Sequence, residues 1–147
     1  MDWVKTYCLG LVLDDAPPPK GEEVLRKMEH AITAHSNFMV CLHRGAGKSC
    51  YTICTTLYAI ATGKQKFVVM VANNARAAVG LLSDLWRVIE ETGTAFAHDY
   101  PELCVPFQVT NGSFRRKQLY NGRSTNISKR SGQIVFATLV GKDGKRL

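Results

Sequence analysis

Long apolar runs are missing from this 147-residue chain. No stretch approaches the ~20 consecutive apolar residues that cross a bilayer, and Met1-Asp2-Trp3-Val4-Lys5 has no charged start followed by an apolar stretch. A membrane span and a signal peptide are therefore not expected, and the chain reads as a cytoplasmic protein. No Cys-x-x-Cys pair occurs among the five cysteines, Cys8, Cys41, Cys50, Cys54 and Cys104, and no histidine lies at zinc-finger spacing from them. An odd count without that pattern points to reduced thiols and gives no metal ligand. Cys50 and Cys54, four apart on an expected helix, read as small apolar residues. Gly-x-Ser-x-Gly is absent, and His30, His35, His43 and His98 are scattered, which leaves no hydrolase triad. There is also no internal repeat and no low-complexity tract.

Acidic residues are nearly absent from one end. From Val105 to Leu147 nine basic residues face Asp143 alone, a net of +8, whereas the first 104 residues carry a net of −1. The whole chain stands at +7. A basic C-terminal third suits a polyanion such as nucleic acid, whose phosphates Lys and Arg neutralise, or a solvated face that serves solubility. Hydrophobic residues make up 46% and charged residues 21%, enough for one globular domain with a buried core.

Three consecutive prolines, Pro17 to Pro19, mark residues 1–21 as an irregular lead-in with no helix across them. Val24, Leu25, Met28, Ala31 and Ile32 then recur at helical steps, which predicts a helix from Glu22 to about His35. Phe38-Met39-Val40-Cys41-Leu42 and Phe67-Val68-Val69-Met70-Val71 are short continuous apolar runs, the pattern of strands buried on both faces. Between them, Ser49 to about Thr62 is nearly uncharged and stops at Gly63, as a buried helix does. A third helix is expected from Asn73-Asn74 to about Thr92, ending at Gly93. Alternating strands and helices predict a parallel α/β layer. Residues from Pro101 to Gln118 read as loop with at most one short helix, and Leu119–Ser128 and Gln133–Leu139 as strands of a C-terminal β-hairpin turning at Lys129-Arg130-Ser131-Gly132.

The strongest chemical pattern is Gly45-Ala46-Gly47-Lys48-Ser49 between the first apolar run and a helix. Small residues let backbone amides curl around an anion, and the helix start adds a positive dipole end. Lys48 can reach the β and γ phosphates, and the Ser49 hydroxyl can ligate magnesium. Arg44 supplies a second cation. The full Walker A pattern would place glycine where Leu42 stands, so the loop is a variant. Trp3, Trp86, Tyr51 and Tyr58 read as packing residues, with a tyrosine near the loop able to stack adenine. The Arg115-Arg116-Lys117 cluster, interleaved with Phe107, Phe114 and Tyr120, suits a DNA backbone or water.

Residues 39–49, the segment Phe67 to Asn74, and Phe96-Ala97-His98-Asp99-Tyr100-Pro101-Glu102-Leu103-Cys104 together resemble the N-terminal ATPase half of phage terminase large subunits, the motors that package DNA into capsids. The likeness covers about residues 22–139. Walker A loops that carry an arginine and lack the first glycine are typical of that family. Asn111-Gly112 and Asn121-Gly122-Arg123-Ser124 resemble its polar hairpin region. The resemblance implies an incomplete P-loop NTPase-like three-layer sandwich over residues 22–147, with a mainly parallel central sheet. It implies ATP and Mg2+ at Arg44, Gly45, Ala46, Gly47, Lys48 and Ser49, with Arg44 as a γ-phosphate sensor. Arg115, Arg116, Lys117 and Arg123 would contact double-stranded DNA. A terminase small subunit and the portal or capsid would be partners, in the cytoplasm of a bacterial host. The acidic strand that completes the metal site in such motors, and their nuclease domain, are not found here: Asp84, Glu90, Glu91, Asp99, Glu102 and Asp143 follow no apolar run of four. Nucleotide binding without useful turnover is therefore expected, together with marginal solubility or self-association, since the missing central strand leaves a sheet edge and an apolar face uncovered. A stand-alone helicase-like nucleotide-dependent DNA-binding module and an inactive prophage remnant are the competing readings.

Overall fold

The computed structural model describes residues 2–109, 118–120, 123–125, 127–130 and 132–136. The chain divides into two compact units, residues 1–71 and 72–147.

The first unit is three helices, α1 (Asp2–Tyr7), α2 (Pro19–Thr33) and α3 (Lys48–Ala61). The lead-in is therefore partly helical, and α2 begins on the third proline of the run. Proline at the first helical position loses nothing, because its missing N–H would have no helical partner there and its φ is already set. Glu22 N–H donates to Pro18 O at 2.9 Å as the first helical bond. Lys5 pairs with Glu22 at 2.7 Å, tying α1 to the start of α2. The apolar positions of α2 that close onto the core are Val24 and Leu25, while nearly the whole middle of α3 is buried, from Ile53 to Ala59. The Trp3 ring meets Tyr58 edge-on at 5.5 Å. At the far ends of α2 and α3, the Gln65 amide donates to Ile32 O at 3.4 Å, and Gly63 closes α3 with a positive φ of 66°.

Among the described residues the expected parallel sheet is not formed. Phe38–Leu42 and Phe67–Val71 take no regular secondary structure and belong to no ladder, and the strands among the described residues all follow residue 117 and pair antiparallel. Met39, Phe67 and Val71 are 88%, 82% and 85% exposed. An apolar run reads as a buried strand only if a neighbour takes its backbone N–H and C=O groups. Composition announces the run and cannot supply the neighbour. In its place, α3 buries its apolar surface against α1 and α2. The three-layer sandwich is thus replaced, in this unit, by a helical core with two bare apolar segments.

The second unit holds α4 (Ala75–Glu90), α5 (Ala95–Asp99) and α6 (Pro101–Val109). Asn74 caps α4 by accepting from Ala77 N–H at 2.8 Å, and Thr94 caps α5 by accepting from Ala97 N–H at 3.1 Å. After Pro101, where loop with at most one short helix was expected, the described residues form one short helix, with Pro101 at its first position and Pro106 inside it. The Gln108 amide donates to Ile89 O and Glu91 O at 3.4 and 3.3 Å, satisfying carbonyls that the end of α4 leaves open. Trp86 meets Phe107 edge-on at 4.8 Å, and Phe107 meets Phe136 at 5.7 Å. Among the described residues, four three-residue strands form two antiparallel pairs, β1 (Gln118–Tyr120) with β2 (Arg123–Thr125) and β3 (Ser128–Arg130) with β4 (Gln133–Val135). The stretch read as one strand from Leu119 to Ser128 is instead divided among β1, β2 and the start of β3, with β1 and β2 paired antiparallel. Among the described residues, no helix is long and apolar enough to cross a membrane.

Candidate functional site

The apolar segment through Leu42 leads into the loop His43–Gly47, and α3 starts at Lys48. Two glycines make the turn. Gly45 has φ +84° and Gly47 φ +75°, a region that costs an L-residue with a Cβ roughly 1–2 kcal/mol. A Cβ at Gly45 would meet nothing within 4 Å, so conformation alone demands glycine there and the space beside it is open. At Gly47 the demand is double, because a Cβ would also stand 3.3 Å from the ring of Tyr51. Tyr51 is buried beneath the loop, and its N–H closes the first helical bond onto Gly47 O at 2.9 Å.

No side chain caps α3. The backbone N–H groups of its first residues, Lys48 and Ser49 among them, have no acceptor inside an α-helix, and the first turn holds no acidic residue to offset the positive end of the dipole. From His30 to Ser83 the chain contains no Asp or Glu, while Arg44 and Lys48 flank the turn. Arg44, Gly45, Lys48 and Ser49 are exposed, and Ala46 and Gly47 half-buried. This is a cationic, solvent-open turn lined by small residues.

The Lys48 side chain folds back over the loop. Its Nζ donates to Leu42 O at 2.9 Å and to His43 O at 2.6 Å. Two of the three ammonium donors are thus held at the entry of the turn, and exchange for phosphate oxygens would replace neutral carbonyl acceptors with anionic ones. The residues present fit an anionic phosphate group. For magnesium they offer the Ser49 hydroxyl, and the described residues contain no group of three His, Cys, Asp or Glu side chains able to hold a metal. Any such ion would rest on Ser49, the phosphates and water.

The other candidates lie elsewhere. Arg115, Arg116 and Lys117 fall outside the described residues, and Arg123 enters only through its backbone pairing with Tyr120. Glu90 accepts from Trp86 Nε1 at 2.6 Å and Asp99 pairs with His98 at 2.7 Å, both within the second unit. Asp143 is outside the described residues. The adenine-stacking role weighed for Tyr51 and Tyr58 does not hold, since both rings are buried in the helical core. A groove of about 340 Å³ beside α2, lined by Arg26, Lys27, His30 and Phe38 among others, contains none of the loop residues. Residue patterns alone do not foretell the carbonyl bonds of Lys48. The support of the loop by Tyr51 does have a signal, since Tyr51 stands four residues after Gly47, one helical turn on.

No known protein-family model, curated protein or solved structure matches this chain.

Proposed function

We propose that the chain binds a nucleoside triphosphate with Mg2+ through residues 44–49, as the ATP-binding portion of a motor of the phage terminase large-subunit kind. The observation that carries the reading is the turn itself: two left-handed glycines lead into a helix start free of any side-chain cap, with the Lys48 ammonium folded over the turn. Backbone N–H groups of the first turn would bind phosphate oxygens, Lys48 and Arg44 would offset their charge, and Ser49 would complete the coordination of magnesium. Bound Mg-ATP supplies the phosphoryl group and the metal charge for transfer. The chain's own residues position it without an acidic side chain to orient water, so turnover near 1 per second is not expected. The same reading includes double-stranded DNA as the partner of the basic C-terminal third, the small terminase subunit and the portal or capsid as family partners, and self-association through the bare segments 38–42 and 67–71.

A thermal-shift titration with Mg-ATP on the wild type, Lys48→Ala and Lys48→Gln tests the reading. Ligand at a hundredfold excess over Kd stabilises a native state that alone binds it by ~2.7 kcal/mol, so the wild-type Tm rises by several degrees and both variants stay flat. The two unpaired apolar segments favour a second reading, an inactive prophage remnant, and a flat wild-type titration is its signature.

A further inference from the structure

We propose that the groove of about 340 Å³ beside α2 is an anion site separate from the glycine turn, one that takes a small aromatic phosphomonoester. Arg26, Lys27 and His30 of α2 line it together with Ser36, Asn37 and Phe38, which follow the helix. The way α2 ends brings the two groups together. His35 takes a left-handed φ of 52°, in the region that glycine favours. Ser36 N–H then donates back to Ala31 O at 2.9 Å, the long bond of a Schellman turn, and the residues after it share the groove with the helix they have just left. Gln65 holds this turn: its amide stands 3.2 Å from His35 Nδ1 and donates to Ile32 O at 3.4 Å. A left-handed backbone at a residue other than glycine, kept in place by its neighbours, is a feature that clusters at ligand sites.

Charge selects an anion. Arg26 has no ion-pair partner among the described residues, while Lys27 shares its charge with Glu23 at 2.6 Å. Among the described residues that line the groove there is no Asp or Glu. The open carbonyls of a helix C-terminus ordinarily repel an anion. Here Glu29 O accepts from the Thr33 hydroxyl at 3.0 Å, His30 O from Ala34 N–H at 2.8 Å, Ala31 O from Ser36 and Ile32 O from Gln65, which blunts that repulsion. Arg26 offers a planar fork to two phosphate oxygens, and Ser36 and Asn37 add neutral donors. Phe38, 37% exposed, supplies an aromatic face on which a ligand ring can stack. The volume lies at the small end of ligand clefts and suits one ring with its phosphate.

Titration of the isotope-labelled full chain with phenyl phosphate and with inorganic phosphate, followed by amide NMR shifts, tests the site. Phenyl phosphate is expected to shift amides within residues 26–38 saturably and to bind at least about threefold tighter than inorganic phosphate, the increment of one aromatic pair. Arg26→Gln, at an exposed position, should weaken both ligands about tenfold, as loss of a charge-assisted hydrogen bond does. Phe38→Ala should abolish the preference for phenyl phosphate and leave inorganic phosphate unchanged, and the amide spectrum of each variant shows whether it is folded. Shifts confined to residues 44–49, equal affinity for the two ligands in the wild type, unaltered binding in a folded Arg26→Gln, a preference that survives Phe38→Ala, or no shift at all would overturn the proposal.

Discussion

Gly21→Ala sets two known effects against each other inside the first unit. Gly21 is the third residue of α2 and is buried. In an open helix the exchange would stabilise by roughly 0.8–1.0 kcal/mol, because alanine loses less backbone entropy. Here the added methyl would collide with the Tyr51 hydroxyl, stand 3.0 Å from the ring carbon that bears it, and lie 3.3 Å from Pro17 Cβ. The ring cannot swing away freely, since it also stands against Gly47. Overpacking of this kind costs about 1–3 kcal/mol, so the propensity gain is cancelled or outweighed and the net expectation lies between neutral and about 2 kcal/mol of destabilisation, read from urea melts followed by circular dichroism. A double-mutant cycle isolates the cause. Tyr51→Phe removes the colliding oxygen, and in that background Gly21→Ala should fall close to neutral, a coupling of at least ~1 kcal/mol. Stabilisation of the otherwise wild-type chain by Gly21→Ala would refute the packing of Tyr51 between α2 and the loop.

Asn74→Ala removes the side-chain acceptor for Ala77 N–H and should cost about 1 kcal/mol, detected as a lower urea midpoint with an unchanged slope. Burial pushes the Cys104 thiol up to about 12 from an ordinary 9.0. The folded state then keeps a proton that the unfolded chain releases, so stability is fully present below pH 9 and falls as pH rises from 9 toward 12, by at most ~1.4 kcal/mol per pH unit. Denaturation series at pH 8 and pH 11 on the wild type and Cys104→Ala should differ in slope, and equal slopes would remove the effect. In sedimentation velocity the wild type should show concentration-dependent association, and Phe67→Ser with Val71→Thr should reduce it, because those side chains are the ones most exposed in the second bare segment.

Helices were legible because their signals are local. The three- and four-residue steps of α2, the uncharged run of α3 and the Asn74 cap of α4 are fixed by neighbours in sequence, and their bounds shift by only a few residues. The proline run misled in one respect, since proline stops a helix from passing through it and not from beginning on it. The sheet was not legible for a different reason. Val68, Val69 and Val71 favour extended backbone locally, whereas a ladder depends on a second strand far along the chain, and no pattern within the run states that such a strand is there. At the loop, Gly45, Gly47 and Lys48 were readable from spacing, and the turn they form is the expected helix entry. The fold of Lys48 onto the Leu42 and His43 carbonyls was not readable, because it depends on the path of the backbone before the helix.

Calorimetric titration of the wild-type chain with Mg-ATP, Mg-ADP and AMP measures the central claim without relying on turnover. If the glycine turn and Lys48 grip the β and γ phosphates, ATP and ADP bind and AMP binds at least about tenfold more weakly, the equivalent of ~1.4 kcal/mol. Equal affinity for all three nucleotides, or no heat with any of them, would contradict it.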